Sequence, residues 1–248
     1  MSSIANTPRT LVIEGNIGTG KSTFLTMLSN YLTFTPVFEP VAQWQDVGGG
    51  HNLLQKFYED TPRWAYTFQT YAFVTRVVGQ TMRKTADSEQ VQILERSVYS
   101  DRYVFAKNCF EMGLMSELEW QLYQEWFSWL VDHYTQRPIG FIYLQTKPET
   151  CQFRTRKRDR SEDTAVPLHY LERLHAKHEQ WLVHKEGVTP WLAEIPVVVL
   201  PCDKDFEHDI AEQQRHVAAI AQAFNLPYKQ PVPVQQPSIS SELMSGLL

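Results

Sequence analysis

Cysteine is scarce: Cys109, Cys151 and Cys202 are the only three in 248 residues, far apart and without CxxC spacing. A disulfide framework is therefore excluded, no zinc-ligand pattern is present, and a reducing compartment is implied. Basic residues are also in short supply, leaving a formal net charge of -5. A protein that grips a nucleic-acid backbone needs the opposite balance to displace counterions, so the polymer is excluded as a partner while its monomers are not. No apolar run approaches the roughly 20 residues of a membrane span, and the opening "MSSIANTPRT" is too short and polar for a secretory signal. The cytosol is the default address, with organelles left open. No internal repeat occurs, and there is neither an NKxD guanine-reading motif nor an LSGGQ-like ATPase signature.

What is there suffices for one sizeable core, since 43% of the residues are hydrophobic and 12% aromatic. Short apolar, β-branched runs at 10–14, 37–39, 91–95, 140–145 and 195–200 read as buried parallel strands. Helical patterns fill 22–31, 62–83, 100–111, 116–135, 148–158, 167–185 and 206–224. Thr61-Pro62 predicts an N-cap followed by proline at the first helical position, and Thr146 to Glu149 a capping box. The β-then-α order predicts an α/β fold, a five-stranded parallel sheet flanked by helices on both faces, with ligands at the carboxyl ends of the strands. One domain spans 1–225. The proline-rich 226–248 predicts a disordered tail, whose last residues are a frayed end or a docking peptide.

The first strand runs into "EGNIGTGKST", which satisfies GxxxxGK[ST] with Gly15, Gly20, Lys21 and Ser22. Glycines let the backbone curl so that successive N–H groups face phosphate oxygens, and the next helix adds its positive dipole end. The expected triphosphate cradle runs from Gly15 through Asn16, Ile17, Gly18, Thr19, Gly20, Lys21 and Ser22 to Thr23. Lys21 would reach the β and γ phosphates and Ser22 a Mg2+ ion.

Two carboxylates, Glu39 in "VFEPVAQW" and Glu95 in "QILERS", close the next two strands and so fall at the edge that carries the glycine loop. One can organise Mg2+ while the other accepts a proton from an attacking hydroxyl. "CQFRTRKRDRSED" crowds Arg154, Arg156, Lys157, Arg158 and Arg160 into seven positions of an acidic chain. The cluster predicts an arginine-rich lid at about 154–165 that neutralises charge on a transferring phosphoryl group.

These motifs, together with "RWAYTFQTYAFVTR", "ERSVYSDRYVFAKN", "EWQLYQEW", "IYLQTKPETC" and "PLHYLERLHAKHEQWL", resemble the deoxyribonucleoside kinases, most closely the deoxycytidine and deoxyguanosine kinases. The likeness covers roughly residues 8–224. It implies transfer of the γ-phosphoryl group of ATP or another triphosphate to the 5'-hydroxyl of a deoxynucleoside, in nucleotide salvage. By the same resemblance Glu39 looks like the general base, Arg96 its partner, and Glu95 with Ser22 the Mg2+ site. Tyr58 with Glu162 or Asp163, Asp163 being the better aligned, resemble the groups that hold the 3'-hydroxyl. Arg154, Arg158 and Arg160 look like the lid arginines, and Arg154 with Phe206, beside Asp205, like the grip on the donor's base.

For the acceptor's base, Gln69 offers a donor and an acceptor from one amide. Trp44, Phe68 and Phe105 are candidate walls; Tyr71 suits the core better, and Ala72 leaves room. Family members that accept deoxycytidine and purine deoxynucleosides carry the equivalents of Arg76 and Asp101, whereas thymidine-accepting ones do not. Cytosine, adenine and guanine remain equally open. The helix "EWQLYQEWFSWLVDHY" is apolar nearly all round, which burial between two subunits explains, and the family is dimeric. A deep core helix is the alternative. His175 and His178 lack a third ligand and read as surface or core. Other functions left open are a P-loop nucleoside monophosphate kinase and a catalytically inactive nucleotide-binding protein.

Overall fold

A computed structural model describes residues 9–81, 91–158 and 166–229. Five strands, β1 (Thr10–Glu14), β2 (Thr35–Val37), β3 (Gln92–Glu95), β4 (Gly140–Gln145) and β5 (Val197–Pro201), form one parallel sheet in the order β2-β3-β1-β4-β5. The period-2 alternation of the strands divides the core in two. Val12, Leu94, Phe141 and Tyr143 point to one face, and Leu11, Ile13, Ile93, Ile142 and Leu144 to the other. Both faces are covered by helices, as a parallel sheet requires.

The helices are α1 (Lys21–Tyr31), α2 (Val41–Gln45), α3 (Leu53–Glu59), α4 (Thr61–Thr81), α5 (Val98–Ser100), α6 (Lys107–Glu111), α7 (Glu117–Tyr134), α8 (Pro148–Arg158), α9 (Leu168–His178), α10 (Pro190–Ala193) and α11 (Ile210–Phe224). Two π-helical segments, Asp101–Ala106 and Glu179–Val183, join α5 to α6 and extend α9. No described helix is long and apolar enough to cross a membrane. All three cysteines are free and buried.

The structure corrects several local expectations. β2 ends at Val37, so Glu39 stands in the turn after the strand. Thr61 does not cap α4: its hydroxyl donates to Phe57 O at 2.8 Å, and Asp60 instead accepts from Arg63 N at 3.3 Å. α8 spans Pro148–Arg158 as its pattern predicts, but the Thr146 hydroxyl accepts from that of Thr19 at 2.5 Å rather than opening a capping box. α11 starts at Ile210, held by an Asp209 cap, four residues later than the pattern suggests. Residues 226–229, expected to begin the tail, turn back onto α1: Leu226 is buried, Tyr228 bridges to Leu32, and Lys229 N donates to Tyr31 O at 2.8 Å. The remainder of the tail lies outside the described residues.

Candidate active site

The carboxyl ends of β1 and β3, adjacent at the sheet's centre, open into a cleft of about 740 Å³. One end of it is built by the loop between β1 and α1. Gly18 (φ 77) and Gly20 (φ 95) lie in the left-handed region. A Cβ on Gly18 would stand 2.4 Å from Cys151 O, and one on Gly20 2.9 Å from the Phe206 ring, so both positions demand glycine twice over. Lys21 is buried and donates to Gly15 O at 3.2 Å and Asn16 O at 2.8 Å. Burial, with the Arg96 cation nearby, pushes its ammonium down to about 7.

Not every residue of the expected cradle offers its side chain. Thr19 is fully buried, its hydroxyl 3.3 Å from Leu144 O and 2.5 Å from that of Thr146. Asn16 is also buried: its Oδ1 accepts from Ile17 N at 2.9 Å and its Nδ2 donates to Leu171 O at 2.8 Å. These two side chains pin the loop to β4 and α9, while Ile17, Gly18, Gly20, Lys21, Ser22 and Thr23 line the cleft.

Across the sheet edge, Ser22 Oγ donates to Glu95 Oε1 at 2.6 Å, and Glu95 Oε2 accepts from Glu39 N at 3.4 Å. The hydroxyl and carboxylate offer hard oxygen donors only, and they converge from two elements, so they suit Mg2+. Glu39 is paired with Arg96, whose Nε lies 3.3 Å from its Oε1, and with Arg76. Burial acts to raise the Glu39 pKa, but Arg76, Arg96 and Lys21 together outweigh it and hold the carboxyl below its ordinary value. Arg96 itself has φ 64, a left-handed conformation fixed by a hydrogen bond from its N–H to Ile13 O at 2.9 Å. The neighbouring Ser97 caps α5 and donates to Glu14 Oε1 through both its N–H (2.9 Å) and its hydroxyl (2.5 Å).

The inner end of the cleft is aromatic. Phe68 stacks on Phe57 at 4.6 Å and meets Trp44 edge-on at 5.7 Å. Trp44 Nε1 donates to Thr75 Oγ1 at 2.9 Å, and Phe105 lies 4.7 Å beneath the Arg96 guanidinium. Gln69 is buried, with Nε2 3.9 Å from Cys109 Sγ. Asp101 is buried too, paired with Arg76. Tyr58 and Ala72 also line the cleft, whereas Tyr71 packs on the core.

At the outer end, Arg154 donates to four backbone carbonyls, those of Thr19, Cys202, Asp203 and Lys204, and its guanidinium lies 5.5 Å from the Phe206 ring. Arg158, Asp205 and Phe206 line the same end. Asp205 largely serves its own turn, accepting from Glu207 N at 2.8 Å and His208 N at 3.3 Å. Arg160, Glu162 and Asp163 lie outside the described residues, as does the rest of the expected lid beyond Arg158. His178 is a buried core residue stacked on Tyr143, and His175 pairs with Glu179.

Sequence reasoning missed Phe57, Phe38 and Tyr170, which also line the cleft, and the buried Glu14. Phe57 sits in a short helix whose apolar spacing gives little signal. Glu14 was visible as an acid ending a strand of otherwise apolar side chains.

The deoxynucleoside kinase family model matches residues 11–225. Deoxycytidine kinase 2 of Gallus gallus is 43% identical over 237 residues, covering 86% of this chain and 89% of the relative. Deoxycytidine kinase of Homo sapiens is 43% identical over 218 residues (79% and 84%), and the mitochondrial deoxyguanosine kinase of Xenopus laevis 40% over 222 (81% and 84%). A monophosphate kinase and an inactive nucleotide binder are thereby disfavoured. With its parallel sheet, glycine loop and paired carboxylates, the chain belongs to the deoxynucleoside kinase family, phosphotransferases that act on a hydroxyl group.

Proposed function

We propose that this enzyme transfers the γ-phosphoryl group of ATP, or of another nucleoside triphosphate, to the 5'-hydroxyl of deoxycytidine, deoxyadenosine or deoxyguanosine, and that thymidine is disfavoured. The observation that carries this reading is the convergence of the Ser22–Glu95 and Glu39–Arg96 pairs in one cleft, between the glycine loop and an aromatic slot.

Glu39 Oε1 accepts the proton of the 5'-hydroxyl as its oxygen bonds to the γ phosphorus. The bond to the β,γ-bridging oxygen breaks in line, and the nucleoside diphosphate leaves. Arg96 holds both the hydroxyl and the carboxylate in register. Ser22 and Glu95 would hold Mg2+, which when bound neutralises charge on the β and γ oxygens. Lys21 turns from the loop carbonyls to the phosphates, and Arg158 and Arg160 close over the transferring group. Arg154 and Phe206, with Asp205, flank the donor's base. Tyr58 and Asp163 hold the 3'-hydroxyl, and Trp44, Phe68 and Phe105 enclose the acceptor's base beside Gln69.

Burial pushes the Asp101 carboxyl up to about 6, while its ion pair with Arg76 favours the ionised form. It then accepts from an exocyclic amine of cytosine or adenine but opposes the carbonyl oxygen of thymine, acceptor against acceptor. The outward face of α7 exposes Leu118, Leu122, Trp126 and Trp129, while Trp120, Tyr123, Phe127 and Val131 face inward. Such an apolar outer face supports a homodimer through the helices of 100–135. Three unpaired cysteines support residence in a reducing compartment, the cytosol or an organelle.

Glu39→Gln tests the assignment. Turnover should fall by two orders of magnitude or more, as is typical for loss of a general base, with nucleoside binding within a few-fold. Near-normal kcat would remove Glu39 from the role.

A further inference from the structure

Glu14 closes β1, the middle strand of the sheet, and is fully buried although it does not line the cleft. Leu11, Val12 and Ile13 before it are apolar, and a side chain that only filled the strand end would be apolar too, because burying a carboxyl is costly unless it is hydrogen-bonded. One oxygen carries its contacts. Oε1 accepts from Ser97 N at 2.9 Å and from the Ser97 hydroxyl at 2.5 Å, whereas Oε2 has no hydrogen-bond partner among the described residues.

Ser97 directly follows Arg96, whose backbone is left-handed at φ 64. A residue with a Cβ holds that conformation only where its surroundings over-determine it. Two consecutive residues of β1 do so here: Ile13 O accepts from Arg96 N at 2.9 Å, and Glu14 grips Ser97. The turn lies one residue beyond the β1–β3 ladder, which ends at the pair Ile13 and Glu95. The arginine side chain has few other fixings. Its Nε lies 3.3 Å from Glu39 Oε1 and its guanidinium 4.7 Å from the Phe105 ring, while its Nη1 is buried without a hydrogen-bond partner among the described residues.

We infer that Glu14 is a positioning residue for phosphoryl transfer: by clamping Ser97 it fixes the left-handed turn that aims Arg96 at Glu39 and the 5'-hydroxyl. It touches no reactant and acts through Arg96 alone. Ser97 needs an acceptor oxygen at this point and not a charge, so an amide oxygen serves it as well. Glu95 is still inside the ladder, so the clamp acts on the arginine and not on the metal side of the site.

The inference rests on the assignment of Arg96 to the 5'-hydroxyl, and a double-mutant cycle separates the two. Steady-state kinetics with Mg-ATP and the preferred deoxynucleoside are compared for Glu14→Ala, Arg96→Gln and the double variant. Glu14→Ala should lower kcat about tenfold or more, the scale on which a misplaced catalytic group acts, with KM for ATP and the Mg2+ half-saturation point within a few-fold of wild type. In the Arg96→Gln background the same change should cost less than about threefold, since residues that act as one unit are not additive. Glu14→Gln should recover most of the kcat that Glu14→Ala loses.

Equal losses in the two backgrounds, or a Gln variant as impaired as the Ala one, would reduce Glu14 to a part of the folded scaffold. If Glu14→Ala does not fold, Ser97→Ala closes the same cycle from the other side. It removes the hydroxyl's bond and keeps that of the N–H, and its loss of kcat should likewise vanish in the Arg96→Gln background. A near-normal kcat in Arg96→Gln alone would instead overturn the assignment of Arg96, whatever the Glu14 variants do.

Discussion

Ser22 and Glu95, 73 residues apart, are joined by a 2.6 Å hydrogen bond that ties the first turn of α1 to the end of β3. If this pair is the seat of Mg2+, Glu95→Gln should raise the Mg2+ concentration needed for half-maximal turnover at least tenfold. Nucleoside affinity should stay within a few-fold. The metal titration of the variant checks this, and an unchanged half-saturation point would place the ion elsewhere.

Lys21 makes a second prediction. Burial and the nearby Arg96 cation push its ammonium down to about 7, so the neutral form gains weight as pH rises to 8. A triphosphate on the loop favours the charged form, so binding should be accompanied by proton uptake at pH 8, and by much less at pH 6. Titration calorimetry of a non-hydrolysable triphosphate in buffers of different ionisation enthalpy measures the uptake. Lys21→Met should abolish it; equal uptake by the variant would assign the proton to another group.

Glu14 bears on stability. Burial pushes its carboxyl up to about 7 from an ordinary 4.5, even with Arg96 nearby and Ser97 donating to it. The folded chain therefore holds this proton more tightly than the unfolded chain. The contribution is fully favourable below about 4.5, is lost as pH rises to about 7, and amounts to about 3 kcal/mol. Glu14→Gln should flatten this part of the profile. Urea unfolding of the ligand-free wild type and variant at pH 5 and pH 8 tests it, and parallel profiles would contradict it.

The outward face of α7 sets a fourth test. Trp126 and Trp129 are about half exposed, at 50% and 48%. Trp126→Glu should convert a dimer to a monomer in light scattering after gel filtration, with little change in Tm beyond that due to dissociation. A wild-type monomer at micromolar concentration would remove the interface.

Much of the site was legible because its chemistry is local. The glycine loop, Glu39 in the turn after β2, Glu95 at the end of β3 and the "ERS" turn each carry their meaning within a few residues, and the parallel strands bring them to one edge. What the sequence conceals is how side chains are shared across elements. Nothing in the spacing of Glu39, Arg76 and Asp101 indicates that one guanidinium bridges the two acids. Asn16 and Thr19 sit inside a nucleotide motif, yet their side chains fasten the loop to α9 and β4. The π-helical segment Asp101–Ala106 has no composition of its own, although it carries Asp101 and Phe105 to the cleft. The short α2, α3 and α10 span four to seven residues, too few for a helical period to emerge. The return of 226–229 onto α1 rests on backbone pairing, which proline-rich composition hides.

The most direct measurement is a phosphoryl-transfer assay with Mg-ATP over the four deoxynucleosides, with the position of the phosphate in each product determined. The wild type should phosphorylate the 5'-oxygen of at least one of deoxycytidine, deoxyadenosine and deoxyguanosine, with kcat/KM for thymidine at least tenfold lower than for the best of them. In Arg76→Met/Asp101→Ala that gap should narrow as thymidine activity rises. Thymidine as the preferred wild-type substrate, or a substrate profile unchanged in the double variant, would contradict the account.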